Sequence, residues 1–271
     1  MTAGLGSVFL VVLALLGLLG GSVLNVVIHR GPSIWGLADP PPRPGGGYGL
    51  WTPRSHCPAC LRTLKPQDLV PLLSFAAVRG RCRGCEARIP ARYPLVEAAG
   101  LGCGLLAALA YPGGAALPAL LFGLLVLGAA IIDWRTGYLP DALVGPAAWT
   151  ALLASALGLG VPPPASILGA AIGYLAFRGL ADAYEAVRGR EGLGRGDAKL
   201  LAAGGAWLGP LALPFVVLAA ATAGLAFALA SGRRGMGAEL RFGPFLAAGI
   251  ALVVMLDAAL PGRVVPPWPW G

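Results

Sequence analysis

The chain has 271 residues, of which 57% are hydrophobic and only 12% are charged, and its mean hydropathy is +0.76. Soluble domains carry about 25% charged residues, so this composition excludes an ordinary soluble protein and predicts a polytopic membrane protein. The net charge of +8 does not indicate nucleic-acid binding, because Lys and Arg are gathered in a few segments between apolar runs.

Apolar runs separated by Pro- and Gly-rich turns predict an all-α protein with about eight transmembrane helices. The first run, at about 4–28, lacks the basic start and the small-residue cleavage site of a signal peptide, so we interpret it as a membrane helix. The other seven runs lie at about 95–110, 117–132, 142–157, 166–183, 198–208, 213–230 and 245–260.

A long polar segment, residues 29–93, separates the first two predicted helices. It holds ten of the twenty Lys and Arg residues, too many for a translocated loop, so we place it in the cytosol. Its stretch 39–47 is rich in Pro and Gly and predicts a flexible linker. The predicted domains are therefore the first helix at 1–28, a small cytosolic domain at 29–93 and a seven-helix membrane domain at 94–271.

The remaining charges agree with this topology. Alternation of eight helices places three further segments in the cytosol, residues 133–141, 184–199 and 232–241. Together with Arg178 they hold every other Lys and Arg except Arg263. The charge asymmetry predicts eight spans with both chain ends outside.

Four cysteines form two pairs in the polar segment, Cys57 with Cys60 and Cys82 with Cys85. Two CxxC pairs at this spacing are typical of a structural zinc site with four thiolate ligands, although incidental or redox-active thiols are the alternative. Such thiols also indicate a reducing, cytosolic side of the membrane. Because the segment is short and poor in core residues, zinc would supply much of its folding free energy.

Two acidic residues frame the segment after the third predicted helix. Asp133 directly follows an apolar run and is expected to end that helix, where a carboxylate faces the unfavourable end of the helix dipole. Asp141 is expected at the start of the next helix, where the dipole favours it, and its simplest interpretation is helix capping. Asp133 is thus the stronger candidate for a catalytic acid.

A third acid, Asp197, opens the short sixth apolar run, two residues before Lys199. Gly194 and Gly196 permit the close approach of a substrate or of another helix. Taken alone, Asp197 can equally be a helix N-cap and Lys199 an anchor at the membrane surface. The predicted topology favours a functional role for Asp197, because it places Asp133 at the same membrane face, where the two acids can act as partners.

A pair of neighbouring carboxylates has a defined chemistry. Both cannot ionise cheaply, so one is expected to stay protonated. The ionised member can take a proton from water as it attacks an amide carbonyl, while the protonated member polarises that carbonyl and later protonates the leaving nitrogen. Asp133 and Asp197 therefore predict peptide hydrolysis at the cytosolic edge of the membrane.

The chain resembles the bacterial type IV prepilin peptidases, membrane aspartic proteases of the GxGD class, over nearly its whole length. Besides the two cysteine pairs, the resemblance lies in segments that occur in the family's order: 21–30 (GSVLNVVIHR), 68–74 (DLVPLLS), 92–97 (RYPLVE), 133–141 (DWRTGYLPD), 194–199 (GRGDAK) and 242–245 (FGPF). Together these motifs are highly specific.

The resemblance implies an enzyme of the bacterial inner membrane that cleaves the basic leader of type IV prepilins and type II secretion pseudopilins after a glycine, on the cytosolic side. It matches the family's catalytic aspartates to Asp133 and Asp197, with Gly194, Gly196 and Lys199 as the supporting motif. It also implies N-methylation of the new N-terminal residue with S-adenosylmethionine, because members with the cysteine-bearing domain generally have both activities. It assigns no residue to that cofactor.

Two alternatives stay open at this point, a GxGD protease acting on other membrane helices and a non-enzymatic membrane scaffold or transporter with a zinc knuckle. The acids available to a basic leader are few, namely Asp182, Glu185 and Glu191. Their simpler interpretation is interfacial ion pairing, such as Arg178 with Asp182 at i and i+4.

Overall fold

The computed structural model of the chain describes residues 2–38, 48–189, 194–231 and 241–262. Within these residues the protein is all-α, with no strand and only two isolated β-bridges. The predicted linker at 39–47 and Glu191 lie outside the described residues. The α-helices in chain order are α1 (Thr2–Ile34), α2 (Leu73–Ala77), α3 (Arg92–Ala110), α4 (Ala116–Thr136), α5 (Asp141–Ala156), α6 (Pro163–Arg188), α7 (Arg195–Leu208), α8 (Leu213–Ala230) and α9 (Gly243–Ala259).

Each of the eight predicted membrane helices corresponds to one helix of the structure, α1 and α3 to α9, and α2 is a short turn of helix in the cysteine-bearing segment. The predicted all-α class is confirmed. Five helical stretches in the described residues are long and apolar enough to cross a membrane, those of α1, α3, α4, α6 and α8. The other three, α5, α7 and α9, have 16, 14 and 17 residues.

The first helix is longer than predicted. It continues past Ile28 to Ile34, so His29 and Arg30 belong to it. Arg30 is buried, and its guanidinium donates hydrogen bonds to the carbonyl oxygens of Gly49, Leu50 and Pro53 at 3.0, 3.0 and 2.7 Å. These distant acceptors compensate the burial of the charge, and a local hydropathy pattern does not reveal them.

The chain divides into two compact units, residues 1–105 and 106–271, while the domain limits at 28 and 93 stay a prediction. In the first unit, α1 and α3 pack backbone against backbone. A Cβ atom built on Gly17 would lie 2.3 Å from the carbonyl oxygen of Gly100, and one on Gly104 would lie 2.1 Å from that of Leu13. Small residues allow this approach, which favours helix association within a bilayer.

In the second unit, α7 is the central helix. Most of its residues are buried, and it packs against α5, α6, α8 and α9. Its closest neighbour is α6, where Gly169 and Gly205 meet backbone to backbone. The Ser166 hydroxyl donates a hydrogen bond of 2.7 Å to the carbonyl oxygen of Ala206. This central position holds the N-terminal end of α7 inside the unit.

Candidate active site

Asp133 lies one turn before the end of α4, and its side chain is only 5% exposed. The prediction that Asp133 ends its helix is therefore wrong by one turn. The helix ends at Gly137, whose φ of 74° is the left-handed conformation that glycine favours and whose N–H donates to the Asp133 carbonyl oxygen at 2.8 Å. The carboxylate is thus held by regular helix rather than by a flexible end.

The start of α9 encloses the Asp133 carboxyl group. A Cβ atom built on Gly243 would lie 2.6 Å from Asp133 Oδ2, so no side chain fits at that position. Asp133 Oδ2 is buried and has no hydrogen-bond partner among the described residues. A buried, unpaired carboxyl oxygen of this kind is costly to maintain, and such groups mark functional sites.

Asp197 is the third residue of α7, and its side chain is 6% exposed. The residue that caps the helix is Gly194, and the Asp197 N–H donates to the Gly194 carbonyl oxygen at 3.1 Å. The interpretation of Asp197 as the N-cap is therefore wrong. Gly196 serves the approach of another part of the chain, because a Cβ atom there would lie 2.8 Å from Leu139 Cβ.

The structure brings the two predicted catalytic residues together. Leu139 is buried between the start of α7, which carries Asp197, and the start of α9, which encloses Asp133. It contacts Gly196 of α7 and Gly243 of α9. Asp133 and Asp197 are close enough to interact electrostatically. This dyad of two buried carboxyl groups is thus delivered to one region by separate helices of one unit, and its catalytic role stays a prediction.

Asp141 and Lys199 form a salt bridge next to this dyad. The Lys199 ammonium donates to both carboxylate oxygens of Asp141, at 2.7 and 2.8 Å. Asp141 is the first residue of α5, and the N-cap position is occupied by Pro140. The interpretation of Asp141 as the helix cap is therefore wrong, whereas the interpretation of Lys199 as an anchor at the membrane surface stays a prediction. The ion pair joins α5 to α7.

Sequence reasoning did not single out Arg241. Its guanidinium donates a hydrogen bond to the carbonyl oxygen of Trp134 and interacts electrostatically with Asp133. The available signal was its place directly before the motif at 242–245. The ion pair of Arg178 and Asp182, at 2.7 Å, is confirmed as ordinary i, i+4 pairing.

The four predicted ligand cysteines also come together. The sulfur atoms of Cys57, Cys60, Cys82 and Cys85 lie within 4.8 Å of one another, and all four thiols are free. Cys57 Sγ and Cys85 Sγ are 3.8 Å apart. A tetrahedral zinc site with Zn–S bonds of about 2.3 Å places its sulfurs about 3.8 Å apart, so the cluster fits such an ion.

The two cysteine pairs lie in turns of the same design. Four residues after the first cysteine of each pair, Leu61 and Glu86 adopt positive φ values of 60° and 57°. Backbone N–H groups of Gly84 and Cys85 lower the pKa of Cys82 to about 6, whereas the thiols of the other three cysteines, together with burial, raise the pKa of Cys85 to about 12. Opposite shifts of this kind are expected where neighbouring thiols share one small volume. The geometry and the donor chemistry both suit a closed, four-ligand metal site.

One hydrogen bond attaches the cysteine-bearing segment to a helix of the first unit, and a second joins two helices beside the segment. The Leu72 N–H donates to Glu97 Oε2 at 2.8 Å, and Asn25 Nδ2 donates to the Tyr93 carbonyl oxygen at 3.0 Å. Within the segment, Arg83 and Asp68 form a salt bridge of 2.8 Å. Glu97 thus connects α3 to this segment, and Asn25 connects α1 to the start of α3.

Fold and site together define a helical membrane protein with a buried pair of carboxyl groups and a tetrathiol cluster. Two family models match the chain, the bacterial peptidase A24 N-terminal domain at residues 15–111 and the type IV leader peptidase family at residues 119–229. The chain belongs to the type IV leader peptidase family. No solved structure matches it significantly.

Curated relatives agree along most of the chain. A prepilin leader peptidase/N-methyltransferase of Burkholderia pseudomallei (strain 1026b) is 46% identical over 254 residues, which cover 86% of this chain and 81% of that protein. A protein of the same name from Dickeya chrysanthemi is 43% identical, covering 92% and 93%. A type 4 prepilin-like proteins leader peptide-processing enzyme of Escherichia coli O78:H11 is 38% identical, covering 89% and 92%.

Proposed function

We propose that this protein is a membrane aspartic endopeptidase that removes the basic leader of type IV prepilins and type II secretion pseudopilins, cutting after a glycine at the cytosolic face of the inner membrane. The observation that carries the proposal is the pair of buried carboxyl groups, Asp133 and Asp197, held by two helices of one unit. Membership of the leader peptidase family and the names of the relatives support the substrate class.

The dyad performs the hydrolysis as a general base and a general acid. Burial disfavours ionisation of both carboxyl groups, and Arg241 partly offsets this effect at Asp133, so we assign Asp133 as the more readily ionised member and therefore as the base. Asp133 removes a proton from water as the water oxygen bonds to the scissile carbonyl carbon, and protonated Asp197 donates a hydrogen bond to the carbonyl oxygen, which gives the tetrahedral intermediate. As the tetrahedral intermediate collapses, the proton held by the dyad passes to the leaving nitrogen and a free carboxyl terminus remains on the leader.

The substrate chemistry suits the position of the site. A prepilin is a basic leader followed by an apolar helix, so its helix can lie in the bilayer beside the enzyme while its leader stays in the cytosol. The scissile bond then lies at the membrane boundary, where the charge pattern predicts Asp133 and Asp197. Membrane lipid is thus part of the environment in which the substrate is presented.

The cysteine cluster is proposed to hold zinc in a structural role. Cys57, Cys60, Cys82 and Cys85 supply four thiolates, which leaves no coordination position for water or substrate. The ion therefore joins two turns instead of reacting. N-methylation of the new N-terminal residue, with S-adenosylmethionine as the methyl donor, is the second proposed activity, and the names of the relatives support it.

Cleavage of a synthetic prepilin by detergent-purified protein tests the peptidase. We expect Asp133→Asn and Asp197→Asn each to abolish cleavage, whereas Asp257→Asn, a matched change of an acid near the far end of α9, retains it. Cleavage by either dyad variant would contradict the aspartyl mechanism. Loss in Asp141→Asn with retention in Asp133→Asn would show that the first acid is wrongly assigned.

A further inference from the structure

A cavity of about 520 Å³ lies at the end of the second unit opposite to the dyad. It is bounded by the turn before α4, the turn between α5 and α6, and the end of α7. Because α7 runs from Asp197 toward this cavity at 1.5 Å per residue, Trp207 lies about 15 Å along the helix from the dyad. The cavity is therefore separate from the proposed peptidase site.

One wall of the cavity is aromatic. Trp207 Nε1 donates a hydrogen bond of 2.6 Å to the Tyr111 hydroxyl oxygen, and the Trp207 ring stacks on Phe122 with centroids 4.8 Å apart. Burial and the nearby negative charge of Asp257 raise the pKa of Tyr111 to about 12, so its hydroxyl keeps its proton at neutral pH. The wall thus combines aromatic rings with a polar group.

The cavity also carries an uncompensated acid. Asp257 lines it, and Asp257 Oδ1 is buried with no hydrogen-bond partner among the described residues. Asp257 is the one ionisable residue of α9, and its place near the C-terminal end faces the unfavourable end of the helix dipole. No Lys or Arg lines the cavity within the described residues. The cavity is therefore electrostatically complementary to a cation.

The volume and the lining of the cavity indicate an organic cation. A volume of about 520 Å³ lies within the range of organic ligand sites and far exceeds that of a bare metal ion. The lining is mainly apolar, with Val161, Leu208 and Leu211 among its residues. Trp and Tyr at the end of a membrane helix bundle are typical of the depth at which lipid head groups lie, and aromatic faces attract ammonium groups.

We propose that this cavity binds the ammonium head group of an ethanolamine phospholipid, with Asp257 as its counter-charge and Tyr111 and Trp207 as its aromatic wall. The site does not depend on the proposed proteolysis, because it lies at the other end of the helices that carry the dyad. It makes the protein selective among the lipids around it.

Native mass spectrometry of the detergent-purified full chain, titrated with phosphatidylethanolamine or phosphatidylglycerol, tests the proposal. We expect one phosphatidylethanolamine to be retained by the wild type and by Asp182→Asn, an exposed acid elsewhere, and its affinity to fall at least tenfold in Asp257→Asn. Phosphatidylglycerol should bind the three proteins equally.

Three results would overturn the proposal. One is equal retention of phosphatidylethanolamine by Asp257→Asn when circular dichroism shows that the variant is folded. A second is full displacement of the lipid by free ethanolamine at equal concentration, which would assign the site to a soluble amine. A third is a gain of lipid affinity in Arg263→Ala, a position outside the described residues, because it would make Arg263 the counter-ion of Asp257.

Discussion

Lys199 Nζ lies 2.7 Å from Asp141 Oδ1, so the residue two positions after Asp197 is tied to the first residue of α5. Both side chains are more than one-third exposed, at 43% and 60%, and an exposed pair of this kind contributes at most about 1 kcal/mol of stability. Its larger effect is on geometry, because it fixes the helix turn that carries Asp197.

Lys199→Met is expected to lower cleavage activity several-fold while leaving the melting temperature nearly unchanged. Without the ion pair, the first turn of α7 still carries Asp197, but the orientation of the Asp197 carboxyl group toward Asp133 is less restricted. A double-mutant cycle with Asp141→Asn, read by prepilin cleavage, measures the coupling. If the loss of activity in the double variant equals the sum of the losses in the two single variants, a positioning role for the ion pair is contradicted.

Gly243→Ala is expected to remove most of the cleavage activity. A Cβ atom at this position would lie 2.6 Å from Asp133 Oδ2, so either the carboxyl group or the start of α9 must move. Gly145→Ala is the matched control, because a Cβ atom built there meets nothing within 4 Å. Cleavage assays beside thermal unfolding check the pair, and full activity in Gly243→Ala would show that Asp133 tolerates displacement.

Arg241→Gln is expected to lower kcat about tenfold with little change in KM. The guanidinium holds the Trp134 carbonyl oxygen and places a positive charge near Asp133, so its loss affects the proton transfer more than substrate binding. Arg241→Lys keeps the charge and should restore part of the rate. A selective rise in KM would instead assign Arg241 to binding of the substrate.

Cys82→Ser is expected to weaken zinc binding strongly, so that purified protein loses most of its zinc, and to make residues 48–91 sensitive to protease. Three remaining thiolates bind zinc more weakly, and the two turns lose the ion that joins them. Cys103→Ser, which removes a thiol outside the cluster, should keep one zinc per chain. Metal analysis with limited proteolysis distinguishes the variants, and equal zinc in both would exclude the cysteine cluster as the site.

The helices could be predicted from the sequence because long apolar runs have few other structures available in a membrane. The residues at which the helices end could not be predicted from the sequence. The last turn of α1 depends on the contact of Arg30 with residues 49–53, and the last turn of α4 depends on the left-handed conformation of Gly137. Local hydropathy carries no information about partners that are distant in sequence.

The candidate site likewise contains some residues that the sequence predicts and others that it does not. Asp133 and Asp197 were predictable, because an acid at the edge of an apolar run is costly without a function. Arg241 and the pairing of Asp141 with Lys199 were not, because charged residues beside a membrane helix are common, and only tertiary packing brings these together.

The glycine contact between α1 and α3 has a consequence for how such proteins are assembled. Because Gly17 and Gly100 touch through their backbones, the two helices that flank the cysteine-bearing segment are fastened to each other independently of it. The segment is thus an insertion whose two ends are already held by the scaffold, so replacing it with a segment of different length adds little loop-closure entropy. Homologous segments are therefore expected to be transplantable as a cassette between Ile34 and Arg92.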